Sequence, residues 1–408
     1  MSFRIALSGL SAAQADLSTT ANNIANSNTT GFKTSRAEFG DVYQTSAYGL
    51  SSANIGGGVR LERIAQNFAQ GTVNITNNSL DLALNGSGFF TLKDGSGITY
   101  SRAGNFTTDR DGYVVTGGGA KLQVFPPIAG TSSFNTGTLT DLQLTVGDNP
   151  PSATANLSAE LNLPTNDSVP ATATFDPTDP TSYNETTSVT LYDSLGGAHG
   201  ASLFYVKTAN PNEWDLHVTV DGTEVAASPA ATLQYDTNGQ LMTPANGLVA
   251  LPAFALTNGA APLAVTMNLL KSTQYGSQFS VSALSQDGYT TGRLTGINVS
   301  ATGVVQARYT NGQSTPLGQL ALTNFASPQS LQQLGNTGWG ETFSSGQALR
   351  GVAGSSNFGT VQAGALEASN VDLTEQLVNM ITAQRNFQAN SQMIQTNDQI
   401  TQTIINIR

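Results

Sequence analysis

From residue 365 to residue 408 the chain contains neither Gly nor Pro, and this stretch constrains the fold more than any other. Its apolar residues recur on a four-three rhythm: Leu373, Leu377, Met380, Phe387 and Ile394. The seam then resumes one residue out of step as Met393, Ile400, Ile404 and Ile407. That spacing predicts an amphipathic helix over 371–407, about 55 Å long, with a heptad seam. Its other face is filled with amides, since Asn and Gln make up 13 of the last 45 residues. A solvated helix carries Lys and Glu there instead. A helix so poor in charge gains nothing from surface ion pairs and is expected to be covered by neighbours on more than one side.

The other end of the chain echoes this pattern. Phe3, Leu7, Leu10, Leu17, Ala21 and Ile24 fall on one heptad seam, with Gln14 at its single gap, and Gln384 fills a matching gap in the C-terminal seam. An amide in an apolar seam costs stability but can fix register. A helix lying on its own domain would show the same spacing. Two such helices at opposite ends favour a coiled pair. The N-terminal helix is expected to stop at Asn26-Ser-Asn-Thr-Thr-Gly31, a cluster of turn formers.

Between the helices the period changes to two. Leu80, Leu82 and Leu84 alternate, as do Leu142, Leu144 and Val146, and Asp94-Gly95 and Asp111-Gly112 are hairpin signals. Residues 146–284 form a compositional island with 12 of the 27 acidic residues, 2 of the 16 basic ones and 11 of the 15 prolines. Strand patterns recur within it, including the alternation Trp214, Leu216, Val218, Val220, and Asp221-Gly222 and Asn238-Gly239 are further turns. The island is predicted to be a separate β domain inserted into the first, with an acidic solvent-facing surface. The expected architecture is multidomain, α plus all-β. Residues 1–30 and 366–408 form the helical coiled coil, and 31–75 with 355–365 a linker region. Residues 76–145 with 285–354 form an inner β-rich domain, and 146–284 the inserted outer β domain.

Composition excludes several functions. A net charge of −11 leaves no basic stripe to displace counterions from nucleic acid. Zero cysteine removes disulfide and thiolate chemistry and fits an exported protein. No stretch approaches the roughly 20 apolar residues of a membrane span. No continuous apolar segment precedes Asp16, so a cleaved secretory signal is not expected. Only His199 and His217 are available as imidazole bases, and nothing supplies a partner nucleophile or a third metal ligand beside either. His217 alternates with Leu216 and Val218 and should face away from them. Asp109-Arg-Asp-Gly112 begins like a calcium loop, but Val114 stands where the sharp turn needs Gly and Ala120 where the bidentate Glu belongs. A hairpin turn accounts for it. No catalytic residue, metal site or cofactor is expected, and the chain is not expected to be an enzyme.

Asn22-Asn-Ile-Ala-Asn26 followed by Thr30-Gly-Phe-Lys33 resembles the N-terminal signature of the axial proteins of the bacterial flagellar rod and hook. Asn85-Gly-Ser-Gly-Phe-Phe90 and Tyr100-Ser-Arg-Ala-Gly-Asn-Phe106 resemble internal motifs of that family. Gly364-Ala-Leu-Glu-Ala-Ser-Asn-Val-Asp-Leu373, Val378-Asn-Met380 and Ala383-Gln-Arg-Asn-Phe387 resemble its C-terminal helix. Length and insert point to the hook branch of the family rather than the distal rod, which stays as the alternative.

The resemblance implies a structural subunit that polymerises into a hollow flexible tube, a universal joint passing torque from rod to filament. The terminal helices would line the channel and the insert would form the outer surface. The assembly seams would be Phe3, Leu7, Leu10, Gln14, Leu17 and Ile24, and Leu373, Leu377, Met380, Gln384, Phe387, Ile394, Ile400 and Ile404. Asn22, Asn23, Asn26, Gly31 and Phe32 carry the family motif. The implied partners are other copies of the chain, the distal rod, hook cap and hook-filament junction proteins, and the flagellar type III export apparatus, without membrane insertion. The implied location is extracellular. Phe39-Gly-Asp-Val-Tyr43 resembles an export signal of such substrates, with Phe39 and Tyr43 as its aromatics. The rival from another class is a secreted β-rich adhesin or glycan-binding protein using exposed aromatics around Trp214.

Overall fold

A computed structural model describes residues 2–42, 56–144, 147–225 and 228–406. The chain divides into two compact units, Met1–Val146 with Gly296–Arg308 and Ser314–Arg408, and Gly147–Thr295 with Tyr309–Gln313.

The first unit holds two long helices, α1 (Ser2–Ala25) and α2 (Leu373–Asn406). Asp372 starts α2 by accepting the backbone N–H groups of Thr374 at 2.8 Å and Glu375 at 3.2 Å, which satisfies donors that a helix start leaves free. At the end of α1, Asn26 takes over the turn. Its N–H reaches the carbonyl of Asn22 at 3.1 Å, and its own carbonyl accepts from Thr29 at 3.1 Å. Gly31 follows at φ 68°, the left-handed region where a side chain is strained.

The β core of this unit is built on Phe89–Asp94, Gly97–Ser101, Lys121–Phe125 and Ser314–Leu320. Leu82, Leu84, Phe90, Phe106, Leu122, Leu142 and Leu144 bury their side chains together. Asp94 makes the hairpin turn read from the sequence by accepting Ser96 and Gly97 amides at 2.8 and 3.0 Å. Asp109 does the same for Asp111 and Tyr113 at 2.9 and 2.8 Å, so the calcium-like stretch is a turn.

The second unit packs two sheets around one core. One sheet centres on Asn156–Pro164, and the other runs through Glu185–Tyr192, Ala198–Lys207, Glu213–Val220 and Ala231–Tyr235. Leu157, Leu161, Leu203, Tyr205, Trp214, Leu216, Val218 and Met267 fill the space between them. Trp214 is 0% exposed. The period-two alternation therefore marked a core face, and Trp214 itself offers no exposed surface to a ligand.

Two boundaries drawn from composition move. Strand Ser280–Gln286 pairs antiparallel with Asn156–Pro164, from Leu157 opposite Gln286 to Asn162 opposite Ser280. The second unit thus runs past 284, because a change in charge density does not mark where strand pairing ends. The region 31–75, expected as a linker, contains the antiparallel pair Ser35–Asp41 and Val59–Gln66. Strand Val73–Ile75 pairs with Ala365–Glu367. In the pair Ser35–Asp41 and Val59–Gln66, charge stands where apolar alternation would: Arg63 reaches Glu38 across the strands at 2.6 Å, and Arg36 meets the same carboxylate along its own strand at 2.7 Å.

Candidate assembly surface and its buried anchor

The two helices run antiparallel. Asn23 Nδ2 donates to Gln376 Oε1 at 3.0 Å, and Gly9 lies so close to Asn390 that an added Cβ would come within 2.5 Å of its Oδ1. Two heptads forward along α1 therefore match two heptads back along α2. Their contact face is lined by Ala6, Gly9, Ala13, Thr20 and Asn23 on α1. On α2 it is lined by Gln376, Met380, Ala383, Phe387, Asn390 and Ile394. Ala6 and Ala383 are both 0% exposed. Small side chains let the two backbones approach, and Met380, Phe387 and Ile394 fill the remaining space.

This corrects the seam drawn from the sequence as the one joining the two ends. On α1 the observed face is displaced by one residue from it. Phe3, Leu7 and Gln14 are exposed, while Leu10, Leu17 and Ile24 are only half-buried. On α2, Met380, Phe387 and Ile394 lie at the contact, whereas Leu373, Leu377, Gln384 and Ile400 are exposed. Leu7 and Leu377 are 47% and 51% exposed. The backbone at Ile404 continues α2. The reason is geometric: a periodicity argument puts the largest apolar residues inside, but a close helix pair selects the smallest. Phe3 and Leu7 of α1, and Leu373, Leu377 and Ile400 of α2, are left along the flanks, pointing outward.

The motif residues clasp the base of the pair. Asn23 holds Ser35 through both backbone groups, donating to its carbonyl at 2.7 Å and accepting its amide at 2.9 Å. Gly31 donates to the Glu367 carbonyl at 2.8 Å. An added Cβ on Gly31 would lie 2.5 Å from the Ala103 nitrogen. Asn22 is exposed and Phe32 half-buried. Phe39 is exposed at a β-bulge in Ser35–Asp41, and Tyr43 lies outside the described residues.

Beneath this clasp is a cluster that the sequence did not reveal. Lys33 and Glu367, both 0% exposed, form an ion pair at 2.6 Å. Arg102 meets the other Glu367 oxygen at 3.2 Å. Lys33 also donates to the Ala69 carbonyl, Arg102 to the Gly86 carbonyl, and Gly71 N–H to Glu367. Burial pushes the Lys33 ammonium below its ordinary range, against the pull of Glu367. Burial likewise lowers Arg102, again opposed by Glu367. Each ion comes from a different stretch that carried the family resemblance, so the three motifs meet at one buried point. The available signal was the rarity of charge: a Lys, an Arg and a Glu within short motifs of an 11% charged chain.

The two histidines have structural partners in the second unit. His217 faces away from Leu216 and Val218, as expected, but is buried under Phe175, with rings 4.1 Å apart, and meets Glu224 at 2.8 Å. His199 bridges two carboxylates, Asp221 at 2.6 Å and buried Asp193 at 3.1 Å. The hydrogen bond to Asp221 raises the His199 imidazole above its ordinary value, with burial opposing and Asp193 assisting. Burial alone would push Asp193 up. Hydrogen bonds from His199, Asn258 and the Gly197 and Leu195 amides outweigh it and hold the carboxyl well below the carboxylate range.

The stabilisation from His199 is therefore complete below about pH 6.5 and is lost as pH rises through its raised pKa. The stabilisation from Asp193 is present above about pH 3.9 and is lost as pH falls through its depressed pKa. The second unit should accordingly be most stable in mild acid. Urea midpoints measured from pH 5 to 9 should fall on the alkaline side, and His199→Gln should flatten that limb; an unchanged profile in the variant would remove His199 as its source.

Comparison with known proteins places these features in a class. Residues 3–33 match a family model described as flagella basal body rod protein. Residues 83–166 match the flagellar hook protein FlgE/F/G D1 domain. Residues 156–289 match the flagellar basal body protein FlaE D2 domain, and residues 362–407 the flagellar basal body rod FlgEFG protein C-terminal model. These are the parts of a flagellar axial protein. Along its whole length the chain is 39% identical to the flagellar hook protein FlgE of Escherichia coli (strain K12), covering 100% of both. It is 32% identical to FlgE of Rhizobium meliloti (strain 1021), covering 99% of this chain and 98% of the relative. The chain belongs to the flagellar hook protein family. A solved structure of Helicobacter pylori flagellar hook protein FlgE2 shares the fold, with a TM-score of 0.54 at 13% identity over 72% of this chain and 100% of that one. Among the described residues no helix is long and apolar enough to cross a membrane.

Proposed function

We propose that this chain is the structural subunit of a flagellar hook, polymerising into a hollow flexible tube that passes motor torque from rod to filament. The observation that carries this reading is the displaced seam. The subunit closes its own helix pair with the small residues of α1 against Ala383, Met380, Phe387 and Ile394, and leaves Phe3, Leu7, Leu377 and Ile400 outward, where identical neighbours can bury them. Head-to-tail contacts of this kind do not close and so build filaments. Contacts between the acidic second units of neighbouring copies would be polar and able to slide as the tube bends. The amide-rich surface of α2 can hydrogen-bond to water or to neighbours without burying ions.

On the same reading the subunit leaves the cell through the flagellar type III apparatus. It works outside the cell, contacting the distal rod at one end of the tube, the cap during growth, and the junction proteins toward the filament. Electron microscopy of the purified protein at high concentration tests the core of this. The full chain should form tubes, and a version lacking residues 373–408, which keeps Glu367 and its β partners, should stay monomeric with unchanged β content. Tubes from the truncated chain would contradict the role given to α2.

A further inference from the structure

Five Asn-Gly steps occur in the chain, beginning at Asn85, Asn238, Asn246, Asn258 and Asn311. Each has the same intrinsic chemistry: the Gly nitrogen can lose its proton and attack the side-chain carbonyl carbon of the Asn before it. A Gly N–H already held in a hydrogen bond resists both events. Four of the five are so held. Gly86 donates to Gln70 Oε1 at 2.9 Å. Gly239, Gly247 and Gly312 donate to the carbonyls of Asp236, Pro244 and Tyr309 at 3.0, 2.8 and 3.1 Å. Gly259 alone has no hydrogen-bond acceptor among the described residues.

The side chain at 258 is also placed for the reaction. Its Oδ1 accepts the Ala260 N–H at 3.0 Å, which polarises the carbonyl toward attack. Its Nδ2, the group that must leave, donates to Asp193 Oδ2. The same carboxylate oxygen lies 3.1 Å from His199 Nε2, and the other ring nitrogen of His199 is 2.6 Å from Asp221. Two carboxylates thus favour the protonated imidazole, and Asp193 connects it to the leaving nitrogen, an arrangement suited to general-acid assistance. Asn258 itself is exposed, so water reaches it.

We propose that Asn258 is a deamidation site built into the second unit, its amide expelled with a proton relayed from His199 through Asp193. A solvent base takes the Gly259 amide proton, and that nitrogen bonds to Cγ of Asn258. The Cγ–Nδ2 bond breaks, and the nitrogen takes up the relayed proton and leaves as ammonia. Water then opens one of the two imide C–N bonds, leaving aspartate or isoaspartate at position 258, and His199 regains its proton from solvent. The product carries a carboxylate where Asp193 had a donor. It sets like charges against each other and loosens the Asp193–His199–Asp221 bridge.

Peptide mass mapping of the full chain, incubated near neutral pH and resolving isoaspartate, tests this. Conversion at 258 should exceed that at the other four steps by roughly tenfold, the ratio given by a barrier difference of about 1.4 kcal/mol. In denaturing urea the five rates should converge. His199→Gln in the folded protein should slow position 258 severalfold and leave the other four unchanged. Conversion at 258 no faster than elsewhere, an excess at 258 that persists in urea, or a rate at 258 indifferent to His199→Gln overturns the proposal.

Discussion

Glu367→Gln should lower the stability of the first unit by about 3–5 kcal/mol, the usual cost of leaving buried ions without their counter-charge. Glu367 is the carboxylate shared by Lys33 at 2.6 Å and Arg102 at 3.2 Å, and all three are almost wholly buried. Replacing it with an amide leaves two cations facing each other in a site where burial already works against the Lys33 ammonium. Lys33→Met is the informative contrast. It removes one charge but leaves the Arg102–Glu367 pair neutral, with the methylene volume largely retained, so its cost should be less than half as large. Urea unfolding followed separately for the two units measures both variants, with the second unit as internal control. Equal losses from the two substitutions would show that the cluster acts by packing rather than by charge.

The position of this cluster gives it a role that offsets its desolvation cost. Lys33 follows the turn after α1, Arg102 follows Gly97–Ser101, and Glu367 closes the strand that leads to α2. Only one register of these three segments pairs every charge. The cluster therefore fixes the base of the helix pair to the β core, consistent with buried ions acting for specificity more than for net stability.

These features were unequally legible in the sequence. The turns at Asp94, Asp109, Asp221 and Asn238 were readable because they are local: Asp94, Asp109 and Asp236 accept amides a few residues on, and Gly112, Gly222 and Gly239 take positive φ. Both helices were readable for the same reason. The partner face of each helix was not, because heptad spacing identifies apolar faces but not which neighbour covers them. Ala6, Gly9 and Ala13 carry no apolar signal strong enough to compete with Leu7 and Leu10. The ion cluster joins residues 334 positions apart, beyond any local rule. Trp214 was visible as a strand residue, but its burial needed the second sheet of its unit.

Leu377→Asp should abolish polymerisation while leaving the monomer intact. Leu377 is 51% exposed on the flank of α2, so a carboxylate there stays in water in the isolated chain, and monomer stability should move by no more than about 0.5 kcal/mol. In an assembly whose neighbours cover that flank, each copy buries the charge. A cost of about 3 kcal/mol per contact would raise the concentration needed for polymerisation by roughly a hundredfold. Ala383→Asp separates this from the intramolecular seam, because Ala383 is 0% exposed between the helices and a charge there must disrupt the pair within the monomer. Sedimentation of polymer and helical circular dichroism of monomer, taken on both variants, give opposite patterns if the large apolar residues face neighbours and the small ones face each other. Loss of monomer helix in Leu377→Asp would return Leu377 to the interior of the pair. Normal tubes from that variant would place the intersubunit contact on another face of α2.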